Sequence, residues 1–548
     1  MKKKILLIRI PEVEYNLNKK DVRSLSVGSL TLPLGITYIA SVIEKSKVFD
    51  VEILDLYAEK YEEFVTEFFS NPIDIMEKSK VCLLNVLSQY KPDVVGFSAP
   101  FLYQHHFVKE LAGSLKDYNP GIRLYLGGYP TLIPERVLED IPEIDIAFIG
   151  ESEKSIIKVL LAENKEKSLE KIDGIGYRHA GKTYVNKTLG YINDLGQIHY
   201  PLFSKLPLKK YKSILGRSEL PLLTSRGCPF SCNFCSSHLY CGRSIRFKEL
   251  DNLIYEIEFY VEKFDPEFLW IRDDNFIVNQ KHAKQFLKKL IRNRLVIPWL
   301  DSSAFHVNSI DEELLDLCKE SGCTEAILAV ESGVPRVLKE VMNKSVDLEH
   351  AKKMAEYCRK IDLPAQAYFV IGNPGETKEE INKTISFAKE LQVDHCVFSI
   401  ATPFPGTRYY EIALKNNYLI GTQEEIINMK YMDVCMRTQE CDAQYLKDVQ
   451  YDANIRINFL ENRLIYGDNN SLMKARKKYR NVSKQYNFHL IARLLEGYLA
   501  GQLGEITERV EIYKQVSNML KQEEIKSAYH KYLRWNTPAT NDFRSWSH

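Results

Sequence analysis

Four cysteines fall in one stretch of eighteen residues, RGCPFSCNFCSSHLYCGR, which begins at Arg226. Cys228, Cys232 and Cys235 are spaced C-x3-C-x2-C, and Cys241 follows six residues later. Three thiolates on one short loop can each hold one iron of a [4Fe–4S] cluster. The fourth iron then stays open, much as three-ligand zinc sites keep a position for substrate. An open iron can chelate a small molecule through an amine and a carboxylate. Pro229 and Ser231 suit a tight loop, and Asn233 tolerates unusual backbone angles. The competing reading is a zinc site closed by His238 or Cys241. Within the cluster reading, Cys241 is either a bystander thiol or a further ligand or reactive residue. Eleven cysteines, an odd number, do not look like a disulfide framework in a chain this long. Clustered thiols of this kind point to metal or catalytic chemistry in a reducing compartment.

Such a loop must be held by rigid elements, and the sequence supplies them on both sides. PLLTSRG reads as a strand that leads into the cysteines. Five further strands follow, FLWIRDDNF, WLDSSAF, EAILAVESG, AQAYFVIGNPGE and HCVFSIATPFPGT, with helical segments between them. One of these, ELDNLIYEIEFYVEKF, places Leu253, Ile257, Tyr260, Val261 and Phe264 on a single helical face. Six strand–helix units whose strands end in polar or small residues predict a partial parallel (β/α)6 barrel of TIM type, with its chemistry at the carboxyl ends of the strands. We place it at residues 216–408.

Upstream, residues 1–170 alternate apolar strands (KKILLIRI, FDVEILDL, KPDVVGFSAP, IRLYLGG, IDIAFIG) with helices. This predicts a Rossmann-like, doubly wound parallel sheet. Ligands of such sheets bind at the strands' carboxyl ends, here 98–100, 127–128 and 150–152. Residues 171–215 read as a hairpin turning at His179, Ala180 and Gly181, followed by a connector. Residues 409–548 read as a helical domain ending in a disordered polar tail, TPATNDFRSWSH. The whole is an α/β protein of 548 residues with a formal net charge of +1, which gives no reason to expect nucleic acid or a membrane surface as a partner. No apolar run approaches the ~20 residues that span a bilayer. A cytoplasmic protein is expected.

The C-x3-C-x2-C loop after the first barrel strand, with Phe234 before its third cysteine, resembles the radical S-adenosylmethionine (radical SAM) superfamily. LPLGITYIASVIEK, VVGFSAPFLYQ, YLGGYPTLIPERVLED and IAFIGESEKSI resemble the N-terminal domain of its cobalamin-dependent members. RDDNF, AVESG, VIGNPGET and ATPFPGT resemble their barrel strand ends. The resemblance implies a [4Fe–4S] cluster on Cys228, Cys232 and Cys235, S-adenosylmethionine on the open iron, and cobalamin. It further implies reductive cleavage to a 5′-deoxyadenosyl radical and methyl transfer to an unactivated carbon. The alternatives are ring closure, ring contraction or oxidation by the same parts, and a non-enzymatic cobalamin or cluster sensor.

For S-adenosylmethionine the resemblance points to Phe234, Asp273, Asp274, Ser302, Glu331 and Ala401. The two aspartates could instead cap a helix, and Glu331 could be a buried, paired glutamate. For cobalamin it points to Ser98, Gly127, Gly128, Gly150 and Glu151. The DxHxxG motif that supplies a cobalt-binding histidine is absent. His105 and His106 read as packed or solvated. The expected partners are an electron donor such as flavodoxin or ferredoxin and a small-molecule or peptide substrate.

Overall fold

The computed structural model describes residues 2–12, 30–67, 72–128, 133–162, 166–186, 190–421 and 434–547. Five apolar runs become parallel strands: β1 (Lys3–Arg9), β2 (Phe49–Asp55), β3 (Val94–Ala99), β4 (Arg123–Gly128) and β5 (Ile146–Phe148). The antiparallel hairpin β6 (Ile175–His179) and β7 (Lys182–Asn186) continues the same sheet from β5. The hairpin is therefore the edge of the first sheet rather than the start of a connector. Strand order is β2-β1-β3-β4-β5-β6-β7, so the winding reverses between β1 and β3. Crevices at such a reversal are where open α/β sheets bind ligands. Both faces are covered. Ile36, Ala40, Ile156 and Val159 of helices Leu34–Ser46 and Glu153–Ala162 pack on one side. Phe107, Leu111, Leu115 and Val137 pack on the other.

The second region adds six parallel strands in two sheets. β8 (Glu219–Leu222), β11 (Phe268–Ile271) and β12 (Trp299–Asp301) form the first; β13 (Ala326–Glu331), β14 (Ala365–Ile371) and β15 (His395–Ile400) form the second. Parallel bridges Trp299–Cys323 and Phe305–Leu328 connect them. Between β8 and β11 lies a two-residue antiparallel pair, β9 (Ser225–Arg226) with β10 (Arg246–Phe247). The helix Leu250–Phe264 buries Leu253, Ile254, Ile257 and Tyr260, while Val261 is exposed.

Helices Asn469–Gln485, Leu490–Gln502, Ile506–Met519 and Glu523–Leu533 form a third region around Tyr479, Leu495, Tyr513 and Tyr532. The segment expected to be a disordered tail is helical over Pro538–Ser547. Phe543 and Trp546, three residues apart on one helical face, both meet the Tyr513 ring, and the Tyr513 hydroxyl donates to Asp542 at 2.6 Å. Cys318, Cys323, Cys358, Cys396, Cys435 and Cys441 are buried, and Cys82 is half-buried. Among the described residues no helix is long and apolar enough to cross a membrane.

Candidate functional site

The cysteine loop leaves β9 and is tied down on both flanks. Asp273, just past β11, accepts the Thr224 amide at 2.7 Å, the Ser225 hydroxyl at 2.7 Å and the Thr224 hydroxyl. Burial still pushes its carboxyl up to about 6. Asp274 accepts the Gly227 amide at 2.8 Å. Gly227 sits at φ +93°, and a Cβ there would come within 2.4 Å of the Ser244 carbonyl oxygen, so the turn into Cys228 requires glycine. On the opposite flank Asn233 donates its amide to the Met342 carbonyl at 2.9 Å and its side chain to that of Val341 at 2.8 Å.

All three cysteines are free and half-buried. Burial raises the Cys228 thiol, and it raises Cys232 to about 11. Neighbouring sulfurs add to both shifts, so the three thiols share one field. Making three mutually repelling thiolates here needs positive charge between them, which iron supplies. Asn275 lies 4.0 Å from the Cys228 sulfur, and its Oδ1 is buried without a partner. Among the described residues no three His, Cys, Asp or Glu side chains could hold a single metal ion. A four-iron cluster needs no such site, because each thiolate meets a different iron. The donor set therefore fits the cluster. Burial and the neighbouring Asp274 carboxylate push the Cys241 thiol far up, and Cys241, like Cys235, lines a cavity beside the loop.

A cavity of about 840 Å³ opens between the loop and the first sheet. Its floor descends between apolar side chains, among them Leu7, Val94, Tyr125, Phe148 and Ile156, beneath the carboxyl ends of β1, β3, β4 and β5. Cys235 lies on the opposite wall. Ser98, Gly127, Gly128, Gly150 and Glu151 all line it. A Cβ at Gly127 would meet nothing within 4 Å, whereas one at Gly128, φ +116°, would meet the Ala99 carbonyl oxygen at 2.1 Å. Gly127 therefore leaves the backbone open to a ligand, and Gly128 makes the turn beside it. A deep apolar slot under a bare backbone rim fits a cobalamin. No histidine lines the cavity among the described residues. His105 is buried 3.6 Å from Asp140. Residues 129–132 of the YLGGYPTLIPERVLED stretch lie outside the described residues.

Two arginines stand side by side on the loop's base, because Arg226 of β9 pairs with Arg246 of β10. Their repulsion is resolved from the first domain. Arg226 donates to Glu153 at 2.5 Å, and Arg246 meets both Glu151 oxygens at 2.8 and 2.9 Å. Glu151 also accepts the Ile192 amide at 2.7 Å. The Glu151 side chain is thus an interdomain clamp, a role different from the backbone contact expected of it. Beside it Lys248 bonds Tyr38 at 3.2 Å and Glu256 at 2.5 Å, which joins the first helix to the second region.

The residues expected around S-adenosylmethionine divide. Asp273 and Asp274 line the cavity, yet their carboxylates hold the cysteine loop rather than cap a helix. Ser302 donates its hydroxyl to the Ile271 carbonyl at 3.1 Å, and its neighbour Ser303 faces the cavity instead. Glu331, at φ +68°, pairs with Lys344 at 2.7 Å. Lys344 is close enough to Cys232 to pull its thiol downward against burial. Phe234 and Ala401 pack together with Tyr409 on the loop's other side. Sequence reasoning missed Arg226, Arg246 and Arg272. Arg226 and Arg272 each open a quoted stretch, and Arg246 lies just beyond one, which was their advance signal.

The B12 binding domain family matches residues 21–160, and the Radical SAM superfamily matches residues 222–388. An uncharacterized methyltransferase of Pyrococcus horikoshii is 32% identical over 420 residues, 76% of this chain and 84% of its own. The cytidylyl-2-hydroxyethylphosphonate methyltransferase of Streptomyces wedmorensis is 27% identical over 443 residues, 73% and 81% of the two chains. Among solved structures, the radical S-adenosylmethionine methyltransferase TsrM of Kitasatospora setae, with cobalamin and a [4Fe–4S] cluster bound, aligns at TM-score 0.59. It is 17% identical and covers 77% of this chain and 76% of its own, a likeness of fold.

Proposed function

The chain belongs to the cobalamin-dependent radical SAM enzymes, and from that premise we propose that it methylates an unactivated carbon of a biosynthetic substrate. The observation that carries this reading is the single cavity bounded by the carboxyl ends of the first sheet and by Cys235 of the cysteine loop. When bound, the cluster supplies an electron for reductive cleavage of S-adenosylmethionine, and cobalamin supplies a methyl carrier.

In this reading the six parallel strands act as a partial (β/α)6 barrel. Cys228, Cys232 and Cys235 hold the iron. Asp273 and Asp274 fix their loop, so the sulfurs keep their spacing while electrons pass. The backbone at Ser98, Gly127, Gly128 and Gly150 admits cobalamin to the apolar slot. Glu331, paired with Lys344 beside Cys232, and the Phe234–Ala401 surface flank S-adenosylmethionine. The clamp of Glu151 and Glu153 with Arg226 and Arg246 holds the two domains at fixed separation and excludes water from the reacting volume. A flavodoxin or ferredoxin of the cytoplasm would deliver the electron.

The test is anaerobic. Reconstituted protein receives S-adenosylmethionine, reductant and hydroxocobalamin, and mass spectrometry quantifies S-adenosylhomocysteine and 5′-deoxyadenosine. Cobalamin-dependent S-adenosylhomocysteine with protein-bound methylcobalamin is expected. Deoxyadenosine alone, indifferent to cobalamin, would sink methyl transfer and leave ring closure, ring contraction or oxidation.

A further inference from the structure

One charge on the cavity wall has no partner among the described residues. Arg272 is the first residue after β11 and sits two residues from Trp270. Its guanidinium lies 5.0 Å from the Trp270 ring centroid and faces the cavity. Three carboxylates are near enough to act on it: Glu12, Glu219 and Asp301. None forms an ion pair with it; Glu12 and Glu219 are engaged elsewhere, and Asp301 is held through Oδ1 while its Oδ2 is buried without a partner. Glu12 pairs with Arg9 at 2.6 Å. Glu219 accepts from Arg217 and from the Trp270 indole, both at 2.7 Å. Asp301 accepts the Ser303 amide at 3.0 Å and its hydroxyl at 2.8 Å.

Among the described residues the Arg272 side chain makes no hydrogen bond or ion pair. Burial consequently lowers its pKa in spite of the three carboxylates, and the nearby Arg9 adds repulsion. The two buried arginines of this cavity differ. Arg9 meets Asp55, Glu12 and the Tyr211 hydroxyl, and Arg226 meets Glu153. A guanidinium cannot shed its proton to escape burial. An uncompensated cation in a sheltered site is costly, and a planar fork backed by an aromatic ring is suited to hold an oxyanion.

We propose that Arg272, supported by Trp270, is the docking point for an anionic oxygen group, a phosphate, phosphonate or carboxylate, on a molecule bound in this cavity. The inference rests on the cavity being the cofactor and substrate chamber. The anion has two possible sources. One is the substrate. The other is the phosphodiester in the nucleotide tail of cobalamin.

The experiment uses the full, reconstituted chain and two variants, Arg272→Gln and Arg272→Lys. Thermal midpoints are measured with inorganic phosphate and with chloride at matched ionic strength. Phosphate binding should raise the wild-type midpoint through ligand linkage. Arg272→Gln should lose that rise, with phosphate affinity down roughly tenfold. In chloride it should melt no lower than wild type, because it removes a charge that no described residue pairs. Arg272→Lys should keep part of the response. An Arg272→Gln variant that melts lower in chloride, or that keeps the full phosphate response, overturns the proposal.

A second arm assigns the source. If bound hydroxocobalamin removes the phosphate response while cobinamide, which lacks the nucleotide tail, leaves it, the anion is the cofactor's. If the response survives hydroxocobalamin, the anion is the substrate's. Neither arm reads S-adenosylmethionine turnover, so failure of methyl transfer leaves the result standing, and failure here leaves the methyl-transfer assay untouched.

Discussion

The second region is gripped from two sides, and the two grips differ in kind. On the side of the third region, β15 is an edge strand, and side chains close its open edge. Asn458 accepts the Cys396 amide at 2.7 Å and donates to the Cys396 carbonyl at 2.6 Å, as a neighbouring strand would. Gln450 reaches the Phe398 carbonyl at 2.9 Å, and Lys478 and Asn462 reach that of Asp394 at 2.7 and 3.1 Å. This covers the edge completely enough to block further pairing. On the side of the first region the contact is ionic and surrounds a cavity, with Glu151 and Glu153 set between Arg226 and Arg246. The helical region finishes a sheet. The first region is held at a distance that leaves a chamber.

The comparison breaks most severely at Arg226. Arg226→Met leaves Glu153 buried without its partner, and such losses cost about 3–5 kcal/mol. Denaturant unfolding of the variant should show an early transition of the first domain, and gel filtration should show loss of bound hydroxocobalamin. A variant that unfolds like wild type and retains cobalamin would mean that the clamp contributes nothing to spacing.

Asn458→Leu tests the other grip. It strips two partners from the Cys396 backbone in a buried setting, at about 1–3 kcal/mol for each group left unsatisfied. Its signature should differ in location. Hydrogen exchange should accelerate along β15 and in helix Asn469–Gln485, while cobalamin retention stays unchanged. Equal damage to cobalamin binding from both variants would erase the distinction between the two grips.

How far the sequence reveals these features follows from the range of each interaction. The spacing of Cys228, Cys232 and Cys235 is local chemistry and can be read directly. So can the strands, whose apolar runs state their burial, and the small residues at their ends. Asp273 resists such reading because its partners, Thr224 and Ser225, are almost fifty residues away. Glu151 and Arg246 are further apart still, 95 residues. Ser302 and Ser303 exchange places for a different reason. β12 ends at Asp301, and strand alternation does not extend past the end of the strand. The C-terminal helix was hidden by composition. Its polar residues dominate any average, although Phe543 and Trp546 at helical spacing are what dock it.

The smallest effect sharpens the contrast by asking whether the closed side also holds charge under tension. Glu376, just beyond β14, accepts from the amide and side chain of Asn373, both at 2.9 Å, while its Oε1 is buried without a partner. Burial pushes its carboxyl from 4.5 to about 7 against those hydrogen bonds. A carboxyl whose folded pKa is raised gives its full stabilising contribution below about 4.5 and loses it as pH climbs through about 7, because the folded state must then ionise a buried group. Glu376→Gln keeps an acceptor for Asn373 and cannot ionise. Measured by urea unfolding between pH 5.5 and 8, the variant should gain on wild type as pH rises, approaching ~2 kcal/mol at the upper end. A gap that stays constant across that range would mean that Glu376 ionises without penalty, and that the closed side carries no charge tension at this point.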